Sequence, residues 1–198
     1  TVTLASSTTE GASAFTGTVS VVTAPVSPVT VSISSSNPGK AAVTSSVTIA
    51  AGTTSTTFTV TPQDNPIKDG QQTVTLNFAA SGYTPKAQSL IVNDNELDHY
   101  TFTTTMPSSI VRNATASVTV TAKDINGVTI PTFAGTVNLS AANGSGSVTM
   151  TPATATLASG TATFSAVFTQ AGNGVTLTAT DGQGITGSTN SFNVTNLG

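Results

Sequence analysis

From Phe15 to Val22 the chain reads FTGTVSVV, and this alternation, repeated along the sequence, decides most of what it can fold into. Phe15, Gly17, Val19 and Val21 fall on one side and Thr or Ser on the other. The same pattern sets Phe58 with Val60, Val74 with Leu76 and Phe78, and Val118 with Val120 and Ala122. It returns at Val137, Leu139 and Ala141, at Phe164, Ala166 and Phe168, and at Val175, Leu177 and Ala179. Side chains alternate across a strand, so a period of two with hydroxyls opposite apolar groups predicts half-buried antiparallel strands. Ser and Thr make up about a third of the residues, and β-branched Thr and Val suit a pleated surface. No stretch carries the i, i+3, i+4, i+7 apolar pattern of a helix. Clusters such as SSSNPG, DNPIKDG, SGYTP, NGSG and TDGQG supply the turns between strands. Strands recurring every ~8–12 residues predict an all-β chain built as two tandem seven-stranded Greek-key β-sandwiches.

A seven-strand sandwich uses about 100 residues, and the 198 residues divide into two such lengths. The expected boundary lies inside IVNDNELDHY, residues 91–100. A strand ends near Val92 and another begins at Tyr100, giving domains 1–97 and 98–198 joined by a short hinge at Leu97–His99. With no Gly/Ser or Pro tract, that hinge restricts the angles between the domains. The chain starts on a strand-like TVTL and stops just after FNVT, as expected of a piece of a longer array or of a processed subunit.

IVNDNELDHY is also where charge concentrates. Charged residues are 7% of the chain, yet three of its eight acids, Asp94, Glu96 and Asp98, fall here beside the single histidine, His99. The others are Glu10, Asp64, Asp69, Asp124 and Asp181, and all lie in turns or at strand ends. In a Greek-key sandwich the loop after the first strand, a later hairpin and the end of the last strand meet at one pole. That gathers Glu10, Asp64, Asp69, Asp94 and Glu96 together. Carboxylates so crowded repel one another unless a cation neutralises them. Ca²⁺ takes six to eight oxygens at about 2.3–2.6 Å, and Asn65, Asn93, Asn95 and backbone carbonyls would help complete such a shell. With no Cys and one His, a soft-ligand zinc or copper site is excluded. The plainer reading has these acids building Asx turns and keeping loops wet.

Together TEGASAFTGTVSV, VTIAAGTTSTTFTVTPQDNPIKDGQQTVTLNF and IVNDNE resemble a Calx-β domain, over residues 1–97. The likeness rests on Glu10–Gly11 after the first strand, the Val47–Thr61 strand pair, the Asp64–Gly70 turn and the terminal Asp94–Glu96. It implies a Ca²⁺ cofactor held by Glu10, Asp64, Asp94 and Glu96. Two departures thin the family's acidic pattern: Gln63–Asp64–Asn65 stands for an acidic triplet, and Lys68–Asp69–Gly70–Gln71 carries a lysine where an acid is usual. The second half, through VTVTAKDINGVTIPTFAGTVNLS and AGNGVTLTATDGQGITGS, resembles bacterial immunoglobulin-like repeats, in which Asp124–Gly127 and Asp181–Gly182 are turns.

Function follows by exclusion and by class. Five Lys and Arg cannot track a phosphate backbone, so nucleic acid is no partner. No apolar run is long enough for a membrane-spanning helix, so membrane insertion is not expected. A Ser or Thr nucleophile would have only His99 as its base, and that residue lies in the expected hinge. Asp64 and Asp69 share one turn and have no Trp platform beside them, which argues against a glycosidase pair. Asn113, Asn138, Asn143 and Asn193 fit N-x-S/T, and Lys123 with Asn193 is a minor candidate for a covalent cross-link. The chain is therefore expected to be non-enzymatic, an extracellular or cell-surface protein of a prokaryote. It would serve as a stalk, adhesin segment or subunit of a filament or S-layer, joined to copies of itself or to neighbouring repeat domains, in one version by strand addition. The alternative is a carbohydrate-binding accessory module of a secreted polysaccharide-active enzyme, with surface glycans as ligands.

Overall fold

The computed structural model describes residues 1–197, and among them every regular element is a strand. Two compact units follow one another, Thr1–Asp94 and Asn95–Gly198. The division falls earlier than the boundary expected after residue 97 because Leu97 packs against the core of the second unit.

The first unit contains nine strands: β1 (Val2–Thr3), β2 (Ser7–Thr9), β3 (Phe15–Ser20), β4 (Val29–Ser35), β5 (Ala41–Val43), β6 (Ser46–Ile49), β7 (Ser55–Pro62), β8 (Gln72–Ala79) and β9 (Lys86–Asn93). One sheet has the order β1-β3-β7-β5 and the other β2-β9-β8-β4-β6. The alternation puts Val19, Phe58 and Val60 from the first sheet against Val31, Ile33, Leu76, Phe78 and Leu90 from the second. Phe58 and Phe78 meet edge to face with centroids 5.1 Å apart. Each fully buried aliphatic or aromatic side chain here contributes about 1.5–3 kcal/mol relative to exposure. Gly17 belongs to this packing, since a Cβ at that position would lie 2.3 Å from Phe58 Cζ.

Among the described residues the second unit has eleven strands: β10 (His99–Phe102), β11 (Ser109–Val111), β12 (Thr115–Lys123), β13 (Gly135–Asn143), β14 (Gly146–Val148), β15 (Met150–Thr151), β16 (Thr154–Leu157), β17 (Thr161–Phe168), β18 (Gly172–Thr180), β19 (Thr186–Ser188) and β20 (Phe192–Thr195). Its sheets run β10-β12-β17-β15 and β11-β20-β18-β13-β14, with β16 on β13 and β19 on β18. Val118, Val120, Leu139, Leu177, Phe168 and Phe192 form its core, the last two edge to face at 5.1 Å.

Both units share one device that the alternation does not predict. In the first, β1 pairs antiparallel with β3, then the chain crosses to the other sheet and β2 runs parallel to β9, with Ser7 opposite Ile91 and Thr9 opposite Asn93. In the second, β10 pairs with β12, and β11 runs parallel to β20. The strand total exceeds the expected seven per unit because the chain adds segments of two to four residues, such as β1, β15 and β19, too short for alternation to register.

Candidate functional site

The parallel pairing of β2 with β9 builds the acidic pole of the first unit. Its register ends with Thr9 opposite Asn93, and the Glu10 amide continues it by donating to the Asn93 carbonyl at 3.0 Å. Glu10 and Asp94, far apart in sequence, therefore leave adjacent strand ends together, and both are 2% exposed. The loop between β7 and β8 adds the third acid. Carboxylate oxygens of Glu10, Asp69 and Asp94 all lie within 4.8 Å of one another.

Each acid is held by named partners. The Gly70 amide donates to Asp94 Oδ2 at 2.7 Å. Asn65 Nδ2 donates to Glu10 Oε2 at 2.8 Å, while its Oδ1 accepts from the Ile67 amide at 2.9 Å and so fixes the loop. Asp64 is exposed and lies over Gly11, where a Cβ would stand 3.1 Å from the Asp64 Cγ. Gly11 also has φ +64°, a left-handed conformation that glycine adopts at no steric cost, so the chain can turn beneath that carboxylate. Asn93 Oδ1 accepts from Gln71 Nε2 at 2.8 Å.

A cation from the chain itself sits in this cluster. Lys40 Nζ donates to Asp69 Oδ1 at 2.7 Å and makes a second, direct contact with Glu10 Oε1. Lys40 follows the Asn37–Pro38–Gly39 turn, and its backbone is held at both ends. Its amide donates to the Asn37 carbonyl at 3.1 Å, and its own carbonyl accepts from Gln63 at 2.9 Å. The residue is 6% exposed. Burial alone would lower the Lys40 pKa, but the hydrogen bonds and charges of Asp69 and Glu10 outweigh it and hold the value above that of an ordinary lysine. The group is therefore an ammonium across the physiological range.

That ammonium decides how the pole fits Ca²⁺. Three carboxylates and their asparagine neighbours are the oxygen donors a hard cation takes. Two of the three are already bonded to Lys40. An ion sharing those oxygens would stand close to the ammonium. Two unit charges at 4 Å repel by about 4 kcal/mol at an effective dielectric of 20, and a divalent ion by about twice that. With Lys40 in place, Glu10 Oε1 and Asp69 Oδ1 are already taken and are not open to a Ca²⁺ ion.

Glu96 is half-buried. The other acids make local contacts. Asp98 pairs with His99 at 3.0 Å, and His99 opens strand β10 opposite Lys123 instead of lying in a solvated hinge. Asp124 Oδ1 accepts from the Asn126 and Val128 amides, and Asp181 Oδ1 from the Gln183 and Ile185 amides, so both carboxylates build turns. Tyr100 donates to Asp181 Oδ2 at 3.3 Å, and burial, reinforced by that carboxylate, pushes the phenol pKa upward. Lys123 donates to Thr129 and Asn193 accepts from the Gly174 amide, so the two residues named for a cross-link have separate partners.

Sequence reasoning missed Lys40, although Lys68 drew attention as a lysine in the acidic turn. The available signal was scarcity: among only five Lys and Arg, one follows a tight turn and precedes the apolar strand Ala41–Val43, where a solvated lysine has no reason to be.

No protein-family model matches the sequence, and no curated protein is similar to it. Solved structures do match. CBD12 from CALX1.2 aligns with a TM-score of 0.52 at 9% identity over 88% of this chain and 76% of that one. The calcium binding domain CBD12 of CALX1.1 gives 0.51 at 11% identity over 87% and 74%. Domains 1–6 of the surface layer protein SbsC give 0.41 at 20% identity, over 85% of this chain and 20% of that one. At these identities the first two matches establish a Calx-β-like, all-β fold and nothing further.

Proposed function

We propose that this chain is a non-enzymatic structural segment of an extracellular, cell-surface protein, a stalk, adhesin segment or assembly subunit made of tandem β-sandwiches of the immunoglobulin type. The observation that carries the reading is how the sheets use their two faces. The inner faces are filled by core side chains, and the outer faces carry cross-strand hydroxyl ladders. In β3 and β7, Thr16 stands opposite Thr59, Thr18 opposite Thr57 and Ser20 opposite Ser55. In β12 and β17, Ser117 and Thr119 face Ser165 and Thr163, and the Thr119 and Thr163 hydroxyls bond at 2.8 Å. Such pairs add some tenths of a kcal/mol each to strand pairing and keep an uncharged surface wet. This suits modules whose task is to persist and to space other things apart.

A finer form of the reading joins copies by strand addition at the β3 edge, where β1 pairs with Thr18 and Val19 and Thr1 bonds Ser20, leaving Phe15, Thr16 and Gly17 of β3 outside that pairing. The resemblance would have Ca²⁺ stiffen the acidic pole; the geometry favours the lysine already bonded there. Immunogold labelling of intact source cells tests the main reading. Label on the outer surface supports it, and label confined to the cell interior overturns it. Light scattering of the purified chain tests strand addition, which fails if the protein stays monomeric at every concentration.

A further inference from the structure

We infer that Lys40 is a tethered cation occupying the seat where a free divalent ion would otherwise neutralise the pole, so that the first unit closes without metal. Three observations combine. Glu10, Asp69 and Asp94 present oxygens within 4.8 Å of one another, the spacing of a hard-cation site. The Lys40 ammonium is bonded to two of the three from a buried position. Its backbone is fixed on both sides, by the Asn37 carbonyl and by the Gln63 amide, so the ammonium is delivered by the turn and does not wander in from solvent.

The arrangement has a mechanical consequence. Lys40 stands before β5, Glu10 follows β2 and Asp69 precedes β8, so one ammonium joins segments leading to both sheets of the sandwich. A metal would do this only while its concentration lasted. A lysine does it at unit stoichiometry and in the presence of any chelator. It also makes the seat latent, because removing the ammonium leaves three carboxylates with a hard cation as their natural partner.

The test uses the full chain and Ca²⁺ alone as the probe. Thermal unfolding of the first unit is followed with millimolar Ca²⁺ and with chelator, in the native protein and in Lys40→Gln. The native melting temperature is expected to be the same in both buffers, and Lys40→Gln is expected to be less stable and to recover part of the loss with Ca²⁺. A Ca²⁺-dependent rise in the native protein overturns the inference, as does a folded Lys40→Gln variant indifferent to Ca²⁺. Should that variant not fold, the Lys40 Nζ resonance of the native protein decides. It should titrate above the ordinary lysine range and stay unmoved by Ca²⁺, and displacement by the ion would refute the tethered cation.

Discussion

Replacing Lys40 by Met keeps most of the volume of the side chain and deletes its charge. Glu10, whose side chain is 0% exposed, would then be a buried carboxylate that keeps its bond from Asn65 but has lost its ammonium. Removing one partner of a buried pair costs about 3–5 kcal/mol, because the other charge stays behind. The Asp69 contact adds little to this, since that side chain is 31% exposed and water screens it. The loss should therefore belong almost wholly to the Glu10 pair. For a unit of this size each kcal/mol moves the melting temperature by about 4–8 °C, so even the lower figure means a drop of more than ~10 °C. Urea unfolding read by peptide-resolved hydrogen exchange reports the first unit separately from the second. The companion variant Glu10→Gln, and the double variant, complete a cycle. The double variant should be more stable than Lys40→Met, because it no longer buries a carboxylate that has lost its ammonium. A single-variant loss below about 0.5 kcal/mol, or strict additivity across the cycle, would refute the reasoning.

Other outcomes follow from the same contacts. Gly17→Ala drives a methyl into the Phe58 ring and should destabilise the first unit by about 1–3 kcal/mol in denaturant melts, leaving the second unchanged. Gly187→Ala places a Cβ 1.9 Å from the Tyr100 carbonyl oxygen, so protection of β10 and β19 amides from hydrogen exchange should fall with the melting temperature of the second unit. Both units should weaken at alkaline pH. Lys40 has a folded pKa above its unfolded one, so its contribution is complete below about pH 10.4 and fades as pH rises through the folded value. The Tyr100 phenol, also shifted upward, stays neutral in the fold while the unfolded chain ionises from about pH 10, which again favours unfolding as pH climbs. Lys40→Met should abolish the first unit's share of this pH dependence and leave the second unit's in place.

Much of the fold is legible in the alternation because burial follows it closely. Val74, Leu76 and Phe78 are buried as the pattern predicts, as are Val175, Leu177 and Ala179. Phe164 is only partly buried, because it packs at the margin of the second core. Hidden from the sequence were the parallel pairings of β2 and β11. Each involves three residues, and nothing local distinguishes STT or SIV as parallel. The site was half legible for the same reason. Glu10 and Asp94 converge as expected, but the β2–β9 register does the converging. Asp69, gathered into the expected pole but left out of the Ca²⁺ ligand set, completes the trio. Lys40 reaches the cluster through the β4–β5 turn, and no spacing rule links it to acids lying on the other side of the chain's topology.

The most direct measurement is a high-resolution crystal structure of the protein grown in millimolar CaCl₂. The account predicts Lys40 Nζ still bonded to Glu10 and Asp69, with no ion on those carboxylates. An ion seated on Glu10 and Asp69 with Lys40 displaced to solvent would contradict it.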